Sequence, residues 1–333
     1  MIFHPAIIAL CVASLLITFM LLYGASYGTQ ILRRWDIQSG SEGQLALERK
    51  TYLVSTFLNY VFGFELLSLF LFIFTVDHLH IFFVGAMCAA GSLHVNGYGY
   101  PALILKVVNF VFAGLWLILN YTDNKAYDYP LIKKKYLFLL LLTPPFLTEA
   151  VLQANYFFRL TPNIITSCCG SLFSGDGGSL TSEISSLPSI PAKLVFYLSM
   201  IGTGISGVRY YRHGKGGYLF STTSAIAFFV SIASLISFIS LYFYEMPSHH
   251  CPFCVLQGEY GYVGYPLYVA LLGGAICGMG VGVLMPFRNV KSLSEYIPQI
   301  QRRLTLAALI LFFLFAGIAT YKVLFSGFVL EGY

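Results

Sequence analysis

Charge is scarce in this sequence. Only 10% of its 333 residues are Asp, Glu, Lys or Arg, against roughly 25% in an average soluble domain. Tryptophan is nearly missing, with 2 residues beside 30 Phe and 24 Tyr. There is no Walker phosphate loop and no dinucleotide fingerprint, so energy from ATP would have to come from another protein. A Cys-x-x-Cys-His attachment motif is absent too, because His249 and His250 precede the thiols of Cys251 and Cys254. No pair of histidines sits deep on facing apolar runs either, so no haem is expected. The net charge of +5 comes from short basic clusters between apolar runs. Such clusters form no continuous basic face, which argues against a nucleic-acid partner.

What the sequence has in quantity is apolar surface, at 57% of residues. A soluble chain of this length would expose large apolar patches, so membrane lipid is the consistent partner. Runs of about 20 apolar residues cross a hydrocarbon core of about 30 Å. Eight such runs are present, at 5–26, 52–75, 101–121, 136–159, 190–208, 218–244, 264–287 and 303–325. The expectation is an all-α, polytopic integral membrane helical bundle, a single membrane domain over 1–333 with eight transmembrane helices. The first run has no Lys or Arg before it and Arg33-Arg34 after it, the pattern of an uncleaved signal anchor, while Gly24-Ala25-Ser26 leaves a cleavable signal peptide as the alternative.

Basic residues set the expected direction of the spans. Loop 27–51 holds Arg33, Arg34, Arg49 and Lys50, and loop 122–135 holds Lys125 and Lys133 to Lys135. Loop 209–217 holds Arg209, Arg212 and Lys215, and loop 288–303 holds Arg288, Lys291, Arg302 and Arg303. These alternate loops contain fifteen of the 19 basic residues, so the positive-inside rule turns them to the cytoplasm. Both termini then face out, and the expected location is a bacterial inner (cytoplasmic) membrane. The outer segments become 78–100, 160–189 and 245–263. Residues 81–93 are apolar but too short to cross, and are expected to form a re-entrant or interfacial segment within the first of these.

On this topology every Cys and His except Cys11, Cys277 and His213 falls on the outer side. The sharpest element is His249-His250-Cys251-Pro252-Phe253-Cys254-Val255-Leu256-Gln257. A Cys-x-x-Cys pair closes and opens a small disulfide when a nearby positive group favours the thiolate. Thiolates and imidazoles also suit zinc and copper, and an oxidising compartment allows a static loop disulfide. The pattern leaves all three open. Cys251-Pro252-Phe253-Cys254-Val255-Leu256-Gln257 resembles the Cys-x-x-Cys-x-x-Gln stretch that opens a helix in quinone-linked disulfide oxidases of the bacterial thiol-oxidase type. Vitamin K epoxide reductase-like proteins carry a related Cys-x-x-Cys at the outer end of a helix. The resemblance implies quinone-coupled thiol chemistry at Cys251 and Cys254. Cys168 and Cys169 lie in the long outer loop, and adjacent cysteines pair more readily with other thiols than with each other. Cys88 is a candidate partner. On the metal reading, Met87, Cys88 and His94 join His249, His250, Cys251 and Cys254.

Three charges, Glu65, Lys106 and Glu149, fall inside spans more than a helical turn from either end. Such residues face a partner or a water-filled cavity. Pro144-Pro145 precede Glu149, and Asn109, Gln153 and Asn155 add polar groups. Together they suggest a polar pocket able to neighbour a quinone, conduct an ion, or hold helices together. Gly274, Gly278 and Gly282, four residues apart, make one small-residue face for close helix packing.

The leading expectation is a membrane thiol–disulfide redox protein. Cys251 and Cys254 would exchange with Cys88, Cys168 or Cys169, and electrons would pass to or from a quinone near Glu65, Lys106 and Glu149. A periplasmic thiol protein would then be its partner. One rival is a copper- or zinc-binding, transport or assembly protein. The other is a subunit of a larger respiratory or secretion complex, stapled by disulfides to meet other membrane subunits.

Overall fold

The computed structural model describes residues 3–37, 39–162, 164–166, 180–185, 187–328 and 330. These are helical almost throughout, and among them no strand forms; the one extended feature is an isolated bridge between Val84 and Ile165. The helices are α1 (Pro5–Arg34), α2 (Glu42–His78), α3 (Ala89–His94), α4 (Gly99–Asp123), α5 (Ile132–Phe158) and α6 (Leu180–Ser185). They continue with α7 (Ser189–His213), α8 (Gly217–Tyr244, with a π-helical turn at Leu235–Ile239), α9 (Gly264–Leu284) and α10 (Tyr296–Phe325). Seven helices, α1, α2, α4, α5, α8, α9 and α10, are long and apolar enough to cross a membrane. The remaining expected span corresponds to α7, which is 25 residues long but carries Lys193, Arg209 and Arg212 and is more polar than the seven.

Leu15, Phe19, Leu141, Ile201, Phe229, Ile310 and Phe313 are among many large apolar side chains on helix surfaces. In water such surfaces would drive aggregation; in lipid they are the contact face. The protein is an all-α polytopic integral membrane protein.

The chain divides into two compact units. The first contains α1, most of α2, α4 and α5. Its core is aromatic: Phe62 meets Trp116 at 4.8 Å and Phe146 at 5.6 Å between ring centroids. Lys135, which the sequence places in a solvated basic run, is buried and bonds Asp123 at 2.8 Å. Asp123 also accepts from the backbone N–H of Leu131 at 2.8 Å. One carboxylate thereby joins the end of α4 to the start of α5 and neutralises the buried ammonium.

The second unit contains the last residues of α2, α3, α6 to α9 and most of α10. The small-residue face of α9 packs on α8: a Cβ at Gly278 would fall 2.5 Å from Ser224 Cβ, and one at Gly282 equally close to Ser221 Cβ. No side chain fits there, which is the physical reason for glycine at both positions. Thr203 Oγ1 of α7 donates to the Thr223 carbonyl of α8 at 3.1 Å. The segment expected to be re-entrant or interfacial holds a 3₁₀ turn, Leu79–Phe82, followed by α3. The six residues of α3 rise about 9 Å, and Ala89, Ala90, Gly91, Ser92 and Leu93 are all buried.

Candidate metal centre

Four features of the second unit build one site. The π-helical turn of α8 widens the helix at Leu235–Ile239, as single π turns often do beside functional groups. There, His250 Nδ1–H donates to the Ile236 carbonyl at 2.9 Å. Further along, α8 stops at Glu245, whose φ of 54° is left-handed, a conformation that ends a helix. The chain then turns back through Cys251 and Pro252 to a 3₁₀ turn, Cys254–Leu256, and enters α9 at Gly264.

This return is fixed by two tyrosine hydroxyls. Tyr244 donates to the Cys251 carbonyl at 2.6 Å and accepts from the Val255 N–H at 2.8 Å. Tyr268 donates to the Pro252 carbonyl at 2.5 Å. From the other side, Asp77 Oδ1 accepts from the Ala89 N–H at 2.9 Å and from Gln257 Nε2 at 3.3 Å. Gln257 Nε2 also donates to the Met87 carbonyl at 3.0 Å. These bonds hold residues 87–89 against the Cys-x-x-Cys turn, with Cys88 between them.

The result is a cluster of three thiols. Cys88, Cys251 and Cys254 are buried, at 0%, 0% and 5% exposure, and their Sγ atoms all lie within 4.8 Å of one another. Cys88 Sγ is 3.4 Å from Cys251 Sγ, well beyond an S–S bond of about 2.05 Å. His249 Nε2 lies 3.3 Å from Cys254 Sγ and adds an imidazole to the three thiols. Its ring packs edge-on against Tyr244 at 4.6 Å. Burial pushes the His249 imidazole below its ordinary pKa; Cys88 opposes that shift and His250 adds to it. A neutral ring keeps a nitrogen lone pair for a metal.

The three thiols suit a soft or borderline cation, with the His249 imidazole beside one of them. Zn–S bonds of about 2.3 Å at tetrahedral angles place sulfurs about 3.8 Å apart, and a Zn–N bond of about 2.0–2.1 Å places nitrogen about 3.5 Å from sulfur. The sulfur spacings, from 3.4 Å to at most 4.8 Å, span the first value; His249 Nε2 is near the second from Cys254 alone. Of the expected metal ligands, Cys88, Cys251 and Cys254 come together, with His249 against Cys254. His250 is occupied with Ile236, and His94 stands at the exposed end of α3, outside the thiol group. Met87 points outward and contributes only its carbonyl. Cys168 and Cys169 lie outside the described residues. Asp77, Tyr244 and Tyr268, which position the thiols, carry no motif that marks them in the sequence.

Gly264 makes the cluster possible. A Cβ there would sit 2.9 Å from the Val255 carbonyl oxygen and 2.8 Å from Leu256 Cδ2. Gly264→Ala is expected to push the Cys254–Leu256 turn off α9 and to raise the alkylation rate of Cys254 by an uncharged maleimide severalfold. An unchanged rate would mean that the turn absorbs a methyl group without moving.

The expected cofactor-binding residues Glu65, Lys106 and Glu149 come together in the first unit. Lys106 Nζ donates to Glu149 Oε1 at 2.7 Å, to Ser68 Oγ at 2.9 Å and to Glu65 Oε1 at 3.4 Å. Asn109 Nδ2 bonds Glu149 Oε2 at 2.6 Å and the Pro145 carbonyl at 3.3 Å. Gln153 turns instead to the Leu10 carbonyl of α1, and Asn155 to its own helix at Val151. No known family, curated protein or solved structure matches the chain.

Proposed function

We propose that the protein is a transition-metal-binding membrane protein that holds one zinc or copper ion between Cys88, Cys251, Cys254 and His249. The observation that carries this reading is the approach of a third buried thiol, 163 residues distant in sequence, to a Cys-x-x-Cys pair that already has an imidazole beside it. Buried thiols of this kind are poorly reached by exchange partners but are well suited to a metal, which replaces their protons. With His249 drawn in from its place beside Cys254, four protein ligands would leave no open position, the arrangement of holding sites rather than catalytic ones. The hydrogen bonds from Tyr244, Tyr268, Asp77 and Gln257 supply the outer support that such ligands need. By the distribution of basic loops, the site faces outward from a bacterial inner membrane.

The test is metal analysis of protein purified in detergent without chelator. About one equivalent of zinc or copper per chain is expected, with loss of that metal in the Cys251→Ser/His249→Ala variant. Protein without metal, in which Cys88 and Cys251 form a disulfide that mild reductant opens, would overturn this reading in favour of thiol–disulfide exchange.

That second reading rests on the 3.4 Å contact itself. Joining Cys88 and Cys251 would release two protons and two electrons, the electrons passing to a disulfide or quinone acceptor. Cys254 would be the thiolate that reopens the bond. Roles for Cys168 and Cys169, and for a quinone beside Glu65, Lys106 and Glu149, belong to this second reading.

A further inference from the structure

Two buried ion-pair groups in the first unit differ in their charge balance. Lys135 and Asp123 are one ammonium and one carboxylate, 1% and 0% exposed, and cancel. Glu65, Lys106 and Glu149 are two carboxylates against one ammonium, all between 2% and 4% exposed. If both acids were ionised, the group would carry an uncompensated negative charge within helices that cross the membrane. A buried charge without a partner is costly, and two carboxylates at one site resist joint ionisation.

The hydrogen bonds show how the imbalance resolves. Glu149 receives a donor on each oxygen, Lys106 on Oε1 and Asn109 on Oε2. This is the environment of an ionised carboxylate. Glu65 receives the long contact from Lys106, at 3.4 Å against 2.7 Å for Glu149. With one ammonium between two buried acids, the acid with the longer contact is the one that keeps a proton. We infer that Glu65, Lys106 and Glu149 form an intramembrane proton-binding site, occupied by one proton held on Glu65.

The groups that face the site are few. α2 brings Glu65 and Ser68, α4 brings Lys106 and Asn109, and α5 brings Glu149. The Phe72 ring lies 5.9 Å from Lys106 Nζ, and Tyr156 packs on that ring. α1, packed against α5, meets Gln153 through a backbone carbonyl. Lys106 is the cation that faces Glu65, and Glu149 is the second acid on that same ammonium. Asn109 Oδ1 is buried and has no hydrogen-bond partner among the described residues. It therefore offers an acceptor beside Glu149 for the hydrogen of an arriving proton donor. Neither the thiols nor a metal enters this inference.

Infrared difference spectroscopy on the full chain in lipid tests it. At neutral pH a carboxylic acid C=O band that shifts in D₂O is expected, and it should disappear in Glu65→Gln. It should disappear equally in Glu149→Gln, because Lys106 then faces a single acid and the remaining carboxyl ionises. Correct folding of both variants is checked by helical circular dichroism and gel filtration. Absence of the band in the native protein, or its persistence in both folded variants, would overturn the inference and leave the three residues as an ionised clamp between helices.

Discussion

Replacing Lys106 with Met is expected to lower the protein's stability by about 3–5 kcal/mol, the usual cost of removing one partner from a buried charge pair. The ammonium is 2% exposed and directs its three donors to Glu149, Ser68 and Glu65. Methionine fills similar volume but leaves Glu149 ionised with Asn109 as its only remaining donor. By contrast Glu65→Gln, which removes a neutral acid and keeps its shape, is expected to cost within about 1 kcal/mol. The triple variant Glu65→Gln/Lys106→Met/Glu149→Gln should recover most of the loss, since replacing all members of a buried charge group is often neutral or stabilising. Denaturant unfolding in mixed micelles reads all three. A Lys106→Met protein as stable as the native one would show that the carboxylates are hydrated rather than sealed between helices.

Much of the fold is legible in the sequence because lipid imposes a simple length rule. Each apolar run of about 20 residues coincides with a helix of the structure, and α7 is the most polar of them for reasons visible at Lys193, Arg209 and Arg212. Gly278 and Gly282 are readable as a close-packing face because their spacing alone places them together, and Ser224 and Ser221 are what they meet. Lys135 shows where the reading stops. It closes a basic run that looks solvated, yet the helix turn buries it against Asp123, twelve residues earlier. A positive-inside count treats it as a loop charge; the geometry makes it a helix-end clamp.

The candidate centre was legible only in part, for a similar reason. Cys251 and Cys254 announce themselves by spacing, and Cys88 was one of several possible partners. Its meeting with them depends on hydrogen bonds of Asp77 and Gln257; Gln257 stands in the Cys-x-x-Cys-x-x-Gln stretch, but that spacing does not show which distant groups it reaches. The neighbours His249 and His250 are indistinguishable in sequence, yet one faces Cys254 and the other the Ile236 carbonyl. That choice is made by the π turn in α8, and no residue pattern in an apolar helix predicts it.

Tyr244→Phe is expected to weaken metal binding about 10- to 100-fold, the range seen when the outer support of a metal site is removed. The tyrosine hydroxyl bonds the Cys251 carbonyl and the Val255 N–H, the backbone on either side of Cys254. Phenylalanine keeps the ring contacts to His249 and Tyr260 but leaves a buried carbonyl and a buried N–H without this partner. Each such group costs about 1–3 kcal/mol when it stays dry, and the turn relieves that cost only by moving, which spreads Cys251 and Cys254 apart. The effect on affinity should therefore exceed the effect on global unfolding, because the 3₁₀ turn is short while the long helices hold the unit. Tyr268→Phe removes one bond, to the Pro252 carbonyl, and should fall between native and Tyr244→Phe. Competition with a chromogenic chelator ranks the three proteins. Equal affinities across the series would mean that the thiols are positioned by α3 and Asp77 alone, and that the Cys-x-x-Cys turn follows the metal rather than waiting for it.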